Sequence, residues 1–181
     1  MDAAALLRKH YAANPGAGEI VLQHSRLVAA KALDVAASLS ATVDLTFIEQ
    51  AALLHDIGVC RTNAPFIGCS GTLPYLCHGI AGRQILEEEG LPRHAMVCER
   101  HIGVGLTKAD IERQNLPLPP RDMVPVTLEE RIVAFADLFY SKHPGKVSLE
   151  KSAEEVRAAL APFGTEKVAA FERMYLEFSS R

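Results

Sequence analysis

The stretch Ala51-Ala52-Leu53-Leu54-His55-Asp56-Ile57-Gly58 places a histidine and an aspartate directly after four apolar residues and just before a glycine. Helical spacing of apolar residues extends this stretch back to Thr46-Phe47-Ile48-Glu49, which has the form of a capping box. The pattern predicts a helix over 46–57 that stops at Gly58. His55 and Asp56 therefore lie in a segment that is expected to be buried, where an ionised side chain must be paired, neutralised or bound to a metal.

Most of the remaining chain also has apolar residues at helical spacing. Further helices are predicted over 2–13, 19–40, 79–89, 93–101, 127–142, 149–161 and 165–179. The helix 127–142 begins with a second capping box, Thr127-Leu128-Glu129-Glu130. No alternating run is long enough to predict a strand, so we expect an all-α bundle. The irregular stretches 60–77 and 115–126 are expected to wall or cover a site.

Length and composition narrow the class of protein. A chain of 181 residues suits one domain, 1–181, and a formal net charge of −3 argues against bulk binding of nucleic acid or of an anionic membrane. No stretch approaches the ~20 apolar residues of a membrane helix. The first ten residues lack the order of a secretory signal, and the four cysteines show no CxxC pair and are expected to be free thiols. We therefore expect a cytoplasmic location.

Two more polar residues fall on predicted apolar helix faces. His24 lies between Val21 and Leu27, and Asp137 lies inside the apolar run 132–140. Each residue alone is more often a hydrogen-bonded core residue or a solvated carboxylate than a metal ligand. Together with His55 and Asp56 they favour Fe, Mn, Zn, Co or Ni, whereas carboxylates alone would suit Mg or Ca.

His24, the pair His55-Asp56 and the late Asp137 resemble the H…HD…D signature of the HD-domain superfamily of metal-dependent phosphohydrolases. The resemblance covers about residues 20–142 and implies a single helical HD-domain bundle. It also implies that these four residues bind one divalent metal ion. The helices within 149–181 are then expected to pack on this core, or to mediate a homodimer.

Two further histidines extend the resemblance. His78 begins a predicted helix, and His101 ends another before Gly103-Val104-Gly105. Family members with two metals place extra histidines between the HD pair and the final aspartate. The resemblance thus implies that His78 and His101 bind a second ion, with Asp56 as the bridging and catalytic carboxylate. Two ions are expected, Fe or Mn first, with Mg, Co, Ni and Zn as alternatives; a single ion stays an open alternative.

The activity implied by the resemblance is hydrolysis of a phosphate ester or anhydride by a metal-activated hydroxide. The expected partner is a phosphorylated small molecule, foremost a nucleotide. Arg61, Lys108 and Lys142 are candidate phosphate contacts, although each alone is more often a solvated cation. Two alternatives stay open: a di-iron oxygenase of the same fold that acts on a polyol or phosphonate, and a nucleotide-binding module without catalysis.

Overall fold

The computed structural model describes residues 1–143 and 145–179, so residues 144, 180 and 181 of the predicted domain lie outside the described part. Nine α-helices are present in that part, and the predicted all-α class is confirmed. Their bounds are α1 Ala3–His10, α2 Pro15–Ser38, α3 Leu45–Leu54, α4 His78–Glu88, α5 Pro92–Arg100, α6 Lys108–Arg113, α7 Leu128–Asp137, α8 Ala153–Leu160 and α9 Thr165–Ser179.

Two large apolar clusters hold most of these helices together, and a smaller third cluster contains Ile111 of α6. The larger cluster joins α2, α3 and α7 to the C-terminal helices, and Val28, Phe135 and Phe171 are buried within it. The second cluster joins α1, the first half of α2, α4 and α5, around Leu22 and Ile85. Helix α3 lies between the clusters, so the residues at its end are enclosed on both sides. Along the described residues no helix is both long and apolar enough to cross a membrane.

Several helix ends differ from the prediction because side chains other than those expected form hydrogen bonds with the terminal amides and carbonyls. Asp44, and not Thr46, caps α3, and its carboxylate accepts a hydrogen bond from the Phe47 amide at 2.9 Å. Thr127 caps α7 as predicted. The prediction that this helix continues to 142 is wrong: it ends at Asp137. Lys151 Nζ donates to the carbonyls of Leu138 and Tyr140 at 3.0 and 3.3 Å, in place of further helical amides.

Short elements occupy parts of the chain that were predicted to be loops. The stretch 60–77 holds an antiparallel hairpin of β1 Asn63–Ala64 and β2 Cys69–Ser70, with 3-10 turns before, within and after it. The turns are Ile57–Arg61, Pro65–Ile67 and Tyr75–Cys77. Helix α6 has only six residues, too few to give a periodic pattern, although Thr107 and Asp110 form a complete capping box at its start.

Gly58 sets the distance between the end of α3 and the helix α4. A Cβ atom added to Gly58 would overlap the carbonyl oxygen of His78 and the amide nitrogen of Gly82. On the opposite side of α4, a Cβ atom on Gly79 would lie 2.7 Å from the carbonyl oxygen of Cys98 in α5. Helix α4 is thus in backbone contact with the 3-10 turn on one side and with α5 on the other.

We expect Gly58→Ala to destabilise the protein by roughly 1–3 kcal/mol or more, because the methyl group meets backbone atoms that cannot change rotamer. Urea unfolding followed by circular dichroism measures this change. Gly16→Ala is the matched control, since an added Cβ there would meet nothing nearer than the Asn14 side chain at 3.9 Å. Equal stability of the two variants would contradict this account of the contact.

Candidate metal centre

Six side chains from five helices and their ends meet in two adjoining groups. The first group contains His24, His55, Asp56 and Asp137, and the second contains Asp56, His78 and His101. Within each group the candidate ligand atoms all lie within 4.8 Å of one another. These are the six residues predicted as metal ligands, and Asp56 belongs to both groups.

The first group is centred on one oxygen of each carboxylate. His24 Nε2 lies 2.9 Å from Asp137 Oδ1 and 3.3 Å from Asp56 Oδ2. His55 Nε2 lies 3.0 Å from Asp56 Oδ2 and 3.3 Å from Asp137 Oδ1. The two Nε2 atoms are 3.3 Å apart, so both imidazoles point to the same place.

The second group lies at the other oxygen of Asp56. His78 Nε2 is 3.4 Å and His101 Nε2 is 3.5 Å from Asp56 Oδ1, and the two nitrogens are 3.2 Å apart. Asp56 Oδ1 is buried and has no hydrogen-bond partner among the described residues. The carboxylate therefore presents one oxygen to each pair of imidazoles.

Three of the four imidazoles are oriented by their own backbone. The Nδ1 atoms of His55, His78 and His101 lie 2.6, 2.8 and 2.8 Å from the carbonyl oxygens of Ala52, Tyr75 and Cys98, each three residues earlier. Because a carbonyl can only accept, Nδ1 must carry a hydrogen in each case. Nε2 is then the atom that can coordinate a metal, as in most histidine metal sites.

The two buried carboxylates dominate the electrostatics of the cluster and stabilise positive charge on the groups beside them. Burial alone would raise the pKa of Asp56, but His55 and Lys142 hold it well below its usual range. Burial lowers the pKa of His55, yet the adjacent carboxylates outweigh this effect and raise it to about 10. Burial lowers the pKa of His78 to about 4, so its imidazole is neutral at physiological pH.

The donor set fits divalent metal binding. Imidazole nitrogens and carboxylate oxygens suit the transition metals. His24, His55 and Asp56 have no exposed surface, and the unpartnered Asp56 Oδ1 lies between two imidazole nitrogens. The donor atoms thus lie close enough together to hold metal ions.

The three predicted phosphate contacts lie in different surroundings. Lys142 follows α7, and its Nζ lies 2.5 Å from Asp56 Oδ2 and 3.4 Å from His24 Nε2. Arg61 pairs with Glu88 at 3.3 Å, and Lys108 pairs with Glu112 at 3.6 Å. In the described part of the chain, no hydrogen bond or ion pair joins Arg61 or Lys108 to the six clustered residues. The structure thus brings Lys142 to the cluster but not the other two.

Sequence reasoning missed several residues that support the cluster. The hydroxyl group of Tyr11 donates to the Asp56 carbonyl at 3.3 Å. The backbone carbonyl of Tyr75 accepts a hydrogen bond from His78 Nδ1, and the two rings lie 5.0 Å apart. Glu99, two residues before His101 and 2% exposed, accepts a hydrogen bond from Arg121 at 2.8 Å, which ties the stretch 115–126 to α5. Tyr11 and Tyr75 could not be identified from the sequence pattern, because a backbone carbonyl takes part in each hydrogen bond.

Comparison with known proteins places this cluster within a family. The HD domain family model matches residues 21–141. An uncharacterised protein of Methanocaldococcus jannaschii is 39% identical over 123 residues, covering 66% of this chain and 65% of that protein. The tRNA (cytidine(56)-2'-O)-methyltransferases of Picrophilus torridus and Thermoplasma volcanium are each 36% identical, over 67% and 70% of this chain. These matches span only 31% and 33% of the two methyltransferases.

The fold agrees with a solved structure of the same family. The HD domain of the L. monocytogenes phosphodiesterase PgpH aligns with a TM-score of 0.55 and 17% identity, covering 97% of this chain and 96% of that domain. The family match includes all six candidate ligand residues and so extends over both groups of the cluster. The chain belongs to the HD domain family.

Proposed function

We propose that this protein is a metal-dependent phosphohydrolase that cleaves a phosphate ester or anhydride of a nucleotide or other small molecule. One observation carries the proposal: the buried Asp56 carboxylate offers one oxygen to His24 and His55 and the other to His78 and His101. A carboxylate shared in this way suits a pair of divalent ions, because its two oxygens can hold both ions at once.

Membership of the HD domain family supports metal-dependent hydrolysis, and the related PgpH domain belongs to a phosphodiesterase. Methyl transfer is not proposed for this chain, because only about a third of each related methyltransferase matches it. The matched region also spans 65% of the M. jannaschii protein, so any activity of that whole protein is not assumed for this chain.

The chain's own residues would divide the work of hydrolysis. When bound, divalent ions supply positive charge to the phosphate oxygens and acidify the attacking water. His24, His55 and Asp137 would hold one ion, and His78 and His101 the other, with Asp56 between them. The backbone tethers keep the Nε2 atoms in place, and the burial of His24, His55 and Asp56 excludes bulk water from that side of the site.

Lys142 is the phosphate contact that we propose from the three candidates. Burial lowers the pKa of its ammonium group, but Asp56 and Asp137 outweigh burial and raise the pKa above its ordinary value. Its charge is therefore kept beside the cluster, where a phosphate oxygen can accept from it. Arg61 and Lys108 stay predictions, since their nearest ion-pair partners are Glu88 and Glu112.

We expect Asp56→Ala to abolish metal binding, because it removes the oxygens that both groups share. Elemental mass spectrometry of protein purified without chelator should give about two metals per chain for the wild type and a value near zero for the variant. Asp34→Ala, on the exposed face of α2, is the control and should keep the wild-type ratio. A wild-type ratio near one would instead favour a mononuclear site and assign His78 and His101 to the substrate.

The proposed activity predicts release of phosphate or of a nucleotide product in the absence of oxygen. Metal-loaded protein should turn over nucleoside phosphates equally under air and under argon, and a chelator should stop the reaction. Both measurements are made by chromatography of substrate and product. Oxygen uptake with a polyol or phosphonate, and no phosphoester turnover under argon, would favour the oxygenase alternative. Tight nucleotide binding without turnover would favour the binding module.

Lys142→Met should lower kcat/KM for a phosphate ester by about tenfold or more, the effect expected when a charge-assisted hydrogen bond is lost. The metal content should stay at the wild-type value, because Lys142 is not a ligand. Lys146→Met removes an exposed ammonium four residues later and should change neither quantity. A loss of metal in Lys142→Met would show that this residue stabilises the carboxylates and does not contact substrate.

A further inference from the structure

The side of the cluster that opens to solvent can be located from the exposure of its residues. His24, His55 and Asp56 have no exposed surface, so they form the closed side. The side chains of His78, Lys142 and Asp137 are 6%, 11% and 15% exposed. A substrate therefore reaches the cluster past these three residues.

A series of aromatic rings lies on this open side. The ring of His78 lies 5.0 Å from that of Tyr75, and the ring of Tyr75 lies 5.4 Å from that of Phe66 in an edge-to-face contact. Phe66 in turn lies 6.4 Å from His143, with the two ring planes only 13° apart. One end of the series is a candidate metal ligand, and the other end is the residue after Lys142. The rings therefore border the same opening.

Phe66 is exposed although the hairpin that carries it is well anchored. Its side chain lies in the single turn Pro65–Ile67 between β1 and β2 and is 41% exposed. The Asn14 amide donates to the carbonyl of Gly68 at the end of that turn, while Asn14 Oδ1 caps α2. The pairing of Ala64 with Cys69 closes the hairpin beneath it. The exposed ring is thus presented on a fixed support, so little ordering entropy would be lost when a flat ligand binds.

We propose that Phe66, Tyr75 and His143 form a stacking site for the planar base of a nucleotide substrate, while Lys142 contacts its phosphate. The proposal rests on the proposed phosphohydrolase activity and names the residues that select its substrate. The faces of Phe66 and His143 are nearly parallel, an arrangement that suits contact with a flat ring. Aromatic stacking tolerates any base, so this site would distinguish nucleotides from phosphates that lack a base.

The positive charge of Lys142 favours a nucleotide, which carries a phosphate, over an apolar ligand. Lys142, one residue before His143, places its ammonium group against Asp56. An anionic group can therefore lie at Lys142 while the rest of the same molecule contacts the rings.

The experiment uses one ligand that isolates the base and two substrates that differ only by the base. Saturation-transfer NMR with adenosine, which has no phosphate, measures binding of the base to the metal-loaded protein. Phosphate release from adenosine 5'-monophosphate and from ribose 5-phosphate measures selection by the enzyme. The variants are Phe66→Ala and Phe66→Leu. Phe163→Ala is the control, because Phe163 is also an exposed ring in a single 3-10 turn beside a proline.

We expect Phe66→Ala to weaken adenosine binding and to lower kcat/KM for the adenosine monophosphate by about tenfold, the order expected for one lost base–aromatic stack. Turnover of ribose 5-phosphate should not change, and Phe163→Ala should match the wild type with both substrates. Phe66→Leu, which keeps the apolar volume, should lose most of the selectivity, because it lacks an aromatic face.

Three other results would be informative in different ways. Equal turnover of both substrates by the wild type and by Phe66→Ala would overturn the stacking site and leave the phosphohydrolase activity intact. An equal loss on both substrates in the Phe66 variants would overturn it as well, since Phe66 would then only support the opening. Phe66-dependent binding of adenosine without phosphate release from either substrate would support the stacking site and exclude both monoesters as substrates of the proposed hydrolysis.

Discussion

Burial of the Asp56 carboxylate is the constraint on which the arrangement of the helices depends. A carboxylate without exposed surface is costly unless charged or hydrogen-bonding groups surround it. Here those groups come from α2, from the start of α4, from the end of α5, and from the segment after α7. Each element must therefore begin, end or pass at one place, and the helix bounds follow from this requirement as much as from helix propensity.

Burial of apolar side chains in the two large clusters offsets the free-energy cost of bringing these polar groups together. Leu53, just before the HD pair, packs against both clusters, so the carboxylate is held between two bodies of packed side chains. The C-terminal helices belong to the larger cluster through Phe171 and Phe178. Packing far from the site thus fixes the orientation of α2 and α7, which carry His24 and Asp137. Stability and metal chemistry depend on the same packing.

The sequence predicted the cluster better than it predicted the elements around it. His24, His55 and Asp137 stand out because each interrupts an apolar helical pattern, and such a pattern is local. The cap at Asp44 and the early end of α7 depend on groups that compete for the same amides and carbonyls, Lys151 among them. Tyr75 and Phe66 gain their neighbours from a hairpin with two residues in each strand, too short to leave an alternating pattern. Their positions therefore follow from tertiary structure alone.

The backbone contacts of α4 have a consequence for how the site tolerates change. Side chains in a core can adopt new rotamers when a neighbour changes volume, but peptide groups in direct contact have no such freedom. The path from Asp56 through Gly58 to His78, and from Gly79 to Cys98 beside His101, consists of such contacts. The distance between the two pairs of imidazoles therefore depends little on substitutions among the surrounding apolar residues. The cores can vary in sequence while this distance behaves as a fixed length.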